Sequence, residues 1–190
     1  MVAIFDNIKS SFFSEKKINI KDNIKNAKAI SSYLNKEQLL EIINVGLLKS
    51  IDNVKEELGF NIENKIFFNK KAPKITIFNY IKRIFLLSNA ENSTIIISII
   101  LLERFLNLNN FKLSLHNVYK IYFVSVMISI KYNEDYIIDN KSFAKIAGLK
   151  NEELNDLEIK FLKNIDYRVY VSYNEYCLYL KKVVNFIQFM

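Results

Sequence analysis

The stretch that decides the fold is residues 92–131, NSTIIISIILLERFLNLNNFKLSLHNVYKIYFVSVMISIK. Its first half is apolar on nearly every side through Ile95–Leu102, and its second half, from Ser114 to Lys131, carries Val118, Ile121, Val124, Ser125 and Ile128. A helix that is apolar all round belongs at the centre of a bundle, not on its surface. The run from Ile95 to Leu102 is eight residues, far short of the ~20 a membrane span requires. It reads as a buried core helix, and no membrane association is expected.

Outward from this centre the helical patterning continues. Asn35, with Gln38 three positions later, has the pattern of a capping box, and Leu40, Ile43, Leu47, Ile51, Val54 and Leu58 then recur at helical spacing as far as Gly59. That predicts one helix over 35–58. Pro73 is tolerated in a first turn and predicts a helix over 74–88, with Ile77, Tyr80, Ile81 and Ile84 on one face. Beyond the two central helices, over 92–107 and 114–131, the pattern predicts a short helix over 140–147 stopped by Gly148. Another follows, capped by Asn151, with Leu154, Leu157, Phe161 and Leu162 inward, and a last over 172–189 opened by Ser172 and Glu175. Residues 1–34 are weakly patterned and are expected to be a mobile lead. Three Gly and one Pro in 190 residues cannot supply the turns of a sandwich or barrel, and 51% hydrophobic residues exclude wholesale disorder. The expected class is all-α.

Composition also excludes chemistry. A single Cys, Cys177, permits no intrachain disulfide and points to a reducing intracellular compartment, nucleus or cytoplasm. With one His, His116, beside that lone Cys, a structural metal site is not expected, and neither is any cofactor: there is no Gly-rich phosphate loop. The adjacent acids Glu56-Glu57, Glu134-Asp135 and Glu152-Glu153 point apart on a helix, so nothing offers a general base and the chain is not expected to be an enzyme. The net charge of +7 is spread as +3 over residues 1–72, +3 over 73–165 and +1 over 166–190, with only three Arg. Phosphate-backbone binders concentrate positive charge, so no nucleic-acid partner is expected. Residues alone stop at a helical domain of unassigned use.

Beyond that point, residues 73–171 resemble the cyclin box, and within cyclins the P-type, single-box group related to phosphate-regulation cyclins. The resemblance rests first on Tyr80-Ile81-Lys82-Arg83-Ile84 and on Leu102-Glu103-Arg104-Phe105-Leu106, then on Asn117-Val118, Ser125-Val126-Met127 and Lys131. Its most specific part is a spaced set: Asp135, Asn140, Ala144-Lys145, Gly148, Glu153-Leu154-Asn155, Leu157-Glu158 and Phe161-Leu162. The resemblance implies one five-helix box, preceded by N-terminal flanking helices in 35–72 and followed by a C-terminal helix in 172–190, with no room for a second box. It also implies a regulatory subunit that binds and activates a cyclin-dependent protein kinase by positioning the kinase's regulatory helix. A cyclin-fold interaction or transcription-factor-like module without kinase activation is the alternative.

By the same resemblance the kinase contacts are Lys131, the lysine closing the third box helix, and Glu158, the glutamate opening the fifth, both hydrogen-bonding kinase backbone. Tyr132, Leu162, Tyr167 and Val169 would supply apolar anchors, Tyr167 and Val169 being the better placed to be exposed. Three departures accompany these matches. Lys74 and Glu103 stand where many cyclins pair a buried arginine with an aspartate, and lysine lacks the guanidinium fork, so a looser bridge is expected. Tyr80 stands in place of the tryptophan used for substrate docking. His116 lies ahead of the family's usual histidine position and is expected at the surface or at a helix start. No homo-oligomer is expected.

Overall fold

The centre of the molecule is a helix whose residues from Val118 to Ile130 are all buried. The computed structural model describes Ile4 and residues 35–51 and 62–187. In chain order its elements are α1 (Lys36–Ser50), a 3-10 turn (Ile62–Phe67), α2 (Ile77–Ser88), α3 (Asn92–Leu108), α4 (Val118–Asn133), α5 (Asn140–Ala147), α6 (Asn151–Asn164) and α7 (Tyr173–Ile187). Among the described residues the fold is all-α, and an isolated backbone bridge joins Ile51 to Leu113.

Because α4 has no polar face, it must be covered on every side, and α2, α3, α5 and α6 all pack against it. Its most extensive contact is with α3, whose first half is apolar nearly all round. The buried serines on these helices find acceptors within their own helix: Ser98 donates to Ile95 O, Ser125 to Tyr122 O and Ser129 to Ser125 O. Small polar residues therefore enter the core without demanding a partner from a neighbouring helix. An aromatic cluster fills the space between α3 and α6, where Phe105 stacks on Phe161 at 4.8 Å and meets Phe67 and Phe111 edge-on at 5.0 and 5.4 Å. Phe67 ends the 3-10 turn ahead of α2 and Phe111 lies in the loop between α3 and α4, so the cluster fastens both segments to the helices.

A buried cation fastens the same segment a second time. Lys120, on the otherwise apolar α4, donates to Ile66 O at 3.0 Å and Phe68 O at 3.1 Å and pairs with Glu153 of α6 at 2.8 Å. Beside it, Asn69 N donates to His116 O and the His116 ring contacts Asn69 O at 3.1 Å. His116 thus sits in the turn before α4, half-buried against the connector rather than free at the surface.

Several helix starts differ from the sequence expectation, each for a local reason. α2 begins at Ile77, because Thr76 accepts from Asn79 N and is the cap; Pro73 lies ahead of the helix. α4 begins at Val118, because Ser114 and Asn117 close a turn in which Ser114 N donates to Asn117 Oδ1 and Asn117 Nδ2 to Lys112 O. α6 is preceded by Lys150, and Asn151 is its first helical residue, not its cap. The Asn35–Gln38 capping box forms in both directions, and Glu175 N donates to Ser172 Oγ ahead of α7. α1 ends at Ser50 with Ile51 extended, while the continuation through Val54, Leu58 and Gly59 lies outside the described residues, as does most of the N-terminal lead.

α5 is short and is held by its ends. Asp139 accepts from Ser142 N at 2.7 Å, and this backbone hydrogen bond, first among its causes, holds the Asp139 carboxyl below its ordinary value. A depressed carboxylate stabilises the fold above its unfolded value, so this cap is lost as pH falls through the lower folded value. At the other end Gly148 takes φ 72°, with Leu149 N donating back to Ala144 O. A methyl group added there meets nothing within 4 Å, so Gly148→Ala is expected to cost only the left-handed strain, about 1 kcal/mol. A urea denaturation midpoint measures it; no shift at all would mean the turn relaxes.

Candidate functional site

The end of α4, the start of α5 and the middle of α6 meet in one polar network. Lys131 Nζ donates to Glu158 Oε1 at 2.6 Å, joining α4 to α6. Asn140, the first residue of α5, donates from Nδ2 to Glu158 Oε2 at 2.9 Å and to Asn155 Oδ1 at 2.7 Å. Asn155 and Glu158 are three apart on α6 and so share a face. An ionised carboxylate only accepts, which fixes the Asn140 amide with its nitrogen inward and in turn orients Asn155. Both oxygens of Glu158 are therefore engaged and its carboxylate is held in one orientation.

The Lys131 side chain is 33% exposed and that of Glu158 17%. The pair lies at a rim, neither free in water nor sealed in the core. Lys131 lies in the last turn of α4, where a cation is favoured by the helix dipole. Glu158 lies in the second half of α6, not at its opening as its family role had suggested. A short, charge-assisted bond at such a place leaves the remaining ammonium protons and carboxylate lone pairs available to main-chain groups of a partner.

The expected apolar residues divide into two kinds. Tyr132 and Tyr167 are 52% and 61% exposed. Leu162 and Val169 are half-buried and pack against the core, so Val169 is less open than its loop position suggested. Tyr167 follows α6 in a turn where Asp166 N donates to Lys163 O and Tyr167 N to Leu162 O. That bonding pattern ends helices with a left-handed residue, usually glycine. Here Asp166 and Tyr167 take φ 52° and 56°. For a tyrosine this conformation costs on the order of 1–3 kcal/mol and persists only where surrounding contacts impose it.

The sequence reading assigned no role to Asn140 or Asn155, although both stand in the spaced pattern. The usable signal was the i, i+3 relation of Asn155 to Glu158. The expected Lys74–Glu103 bridge is replaced by other bonds. Lys74 is exposed ahead of α2, while the buried Glu103 carboxylate accepts from Tyr179 OH of α7 at 2.8 Å and from Ile4 N. Tyr80 is buried between α2 and α4, with Tyr119 edge-on at 5.2 Å, and burial pushes its phenol well above the ordinary value. It fills the core there and presents no docking surface. Among the described residues no cluster of His, Cys, Asp or Glu is arranged for a metal, and no helix is long and apolar enough to cross a membrane.

An all-helical unit with a central helix enclosed by four others is consistent with the all-α fold of a cyclin domain. The family model described as cyclin matches residues 11–169, and this chain belongs to the cyclin family. Among curated proteins it is 34% identical over 132 residues to Cyclin-U2-2 of Arabidopsis thaliana, covering 67% of this chain and 57% of that protein. Cyclin-U2-1 of the same plant is 34% identical over 131 residues, covering 67% and 59%. Cyclin-P3-1 of Oryza sativa subsp. japonica is 31% identical over 120 residues, covering 62% and 51%. The matched stretch thus spans less than two thirds of these relatives' own lengths.

Proposed function

We propose that this chain is the regulatory subunit of a cyclin-dependent protein kinase, binding the kinase and activating it by holding its regulatory helix inward. That position lets the kinase's own Lys–Glu ion pair form, which phosphoryl transfer requires. The reading rests on one observation above all: in a member of the cyclin family, Lys131 and Glu158 meet at a rim, with the exposed Tyr132 next to Lys131 in the chain. In this reading Lys131 and Glu158 hydrogen-bond kinase main chain, and Tyr132 and Tyr167 are the exposed anchors. Leu162 and Val169, half-buried against the core, are the less open apolar contributors. The box comprises residues 73–171, and the protein acts inside the cell without catalysing a reaction itself. The single-box, P-type assignment draws support from the likeness to Cyclin-P3-1, while the Arabidopsis relatives carry U-type names.

Affinity purification of the tagged chain from its native cells, followed by mass identification, tests the reading. A cyclin-dependent kinase recovered in near-equal amount is the expected result. Recovery of transcription factors and promoter DNA with no kinase would replace it with the module that does not activate a kinase.

A further inference from the structure

After the left-handed pair Asp166–Tyr167 the chain runs without helix through residues 168–172 before entering α7. Backbone carbonyls in such a run have no ladder to satisfy them and need donors from elsewhere. One side chain supplies them. Arg104, on α3 and largely buried, donates from Nη1 to Arg168 O and to Tyr170 O, and from Nη2 to Glu175 Oε1 of α7 at 2.8 Å. The other ion pair at this turn, Arg168 with Asp166, is exposed on both sides and contributes little. A guanidinium presents five donors in a rigid fork and is suited to holding two carbonyls and a carboxylate together, which an ammonium is not.

We propose that Arg104 is the positioning residue for the segment carrying Tyr167 and Val169: it fixes the carbonyls that follow the strained turn, and so sets how tightly the partner surface binds. This rests on the reading that the segment faces a cyclin-dependent kinase. Tyr167 is both exposed and strained, so no burial of its own ring imposes its conformation. Backbone bonds of the turn continue through Arg168 N to Ile165 O and Val169 N to Tyr167 O, and Arg104 adds side-chain donors to the carbonyls of Arg168 and Tyr170. The same guanidinium reaches Glu175, so the direction in which the segment leaves α6 is tied to the start of α7.

The test compares the full-length wild type with Arg104→Met, which keeps an apolar stem, and Arg104→Lys, which keeps the charge without the fork. Trypsin cleavage of the Arg168–Val169 bond reads the segment directly, because Arg104 holds the carbonyl of that bond. Dissociation from the cyclin-dependent kinase recovered with the wild-type chain reads the partner surface. Both variants are expected to keep wild-type helicity, to be cut about tenfold faster at Arg168, and to release the kinase about tenfold faster. A purely structural role would lower the unfolding midpoint while leaving the dissociation rate of the folded protein unchanged, and that result would overturn the proposal. Cleavage at the wild-type rate in both variants would also overturn it, by showing that other contacts hold the segment. Glu175→Gln, which keeps Arg104 and both carbonyl bonds, is expected to stay close to wild type in both readouts; equal loosening would assign the effect to α7 instead. If the wild-type chain bound no kinase, the parent reading would fall and the partner half of this proposal with it. Wild-type binding with undiminished binding by Arg104→Met would sink the proposal alone.

Discussion

Glu158→Ala is expected to weaken association with a cyclin-dependent kinase by about 2–5 kcal/mol, the range for stripping one partner from a hydrogen-bonded charge pair desolvated in a complex. Even the lower figure is about thirtyfold in Kd. The substitution removes both acceptors at once, leaving the Lys131 ammonium without its 2.6 Å partner and the Asn140 amide without its 2.9 Å partner. The fold itself loses less. Lys131 remains partly exposed and its released charge is solvated, and α6, which packs on α4, stays anchored in the core by buried Leu154, Leu157 and Phe161. Isothermal titration against purified kinase, with helicity as a control, separates the two effects. Unchanged affinity would move the interface away from this rim.

Phe105→Ala is expected to be the most damaging single truncation for stability, at about 3–5 kcal/mol. The ring is fully buried, stacks on Phe161 of α6, and meets Phe67 and Phe111 edge-on. Three segments distant in sequence therefore lose the same contact. Collapse into the cavity is opposed from several directions, which places the cost toward the upper end of the range. Because Phe161 lies on the helix that carries Glu158, kinase binding should fall as well, but only in proportion to the folded fraction. A loss below about 1.5 kcal/mol in urea denaturation would show that neighbouring side chains refill the space.

The two predictions divide along the same line as what the sequence made legible. The central pair α3 and α4 was readable because an unbroken apolar run is a strong signal that no loop competes with. Helix starts were less so. Pro73, Ser114 and Asn151 each carry a valid opening signal, but a better-placed Thr76, a side-chain-closed turn at Ser114–Asn117 and the extended Lys150 took the role. The docking of the connector onto Lys120 has no local signature at all, since its acceptors are main-chain carbonyls more than 50 positions away. At the candidate site Lys131 and Glu158 were named through the family pattern, but their direct bond depends on how α4 and α6 cross. Asn140 stood in the same pattern without a role, because an asparagine opening a helix looks like a cap until the neighbouring helix is in place. Arg104 was likewise visible only as a matched residue. Its three acceptors lie 64 to 71 positions further along the chain.

Kinase activation is the most direct measurement of the central claim. Purified cyclin-dependent kinase, assayed on a peptide substrate with and without a saturating amount of this chain, should rise at least about a hundredfold in phosphoryl-transfer rate as its Lys–Glu pair is completed. The same assay with Glu158→Ala should recover that activity only at much higher protein concentration. A kinase that is saturated with the wild-type chain and no more active than alone would contradict the account, and would leave the chain as a docking subunit that does not activate.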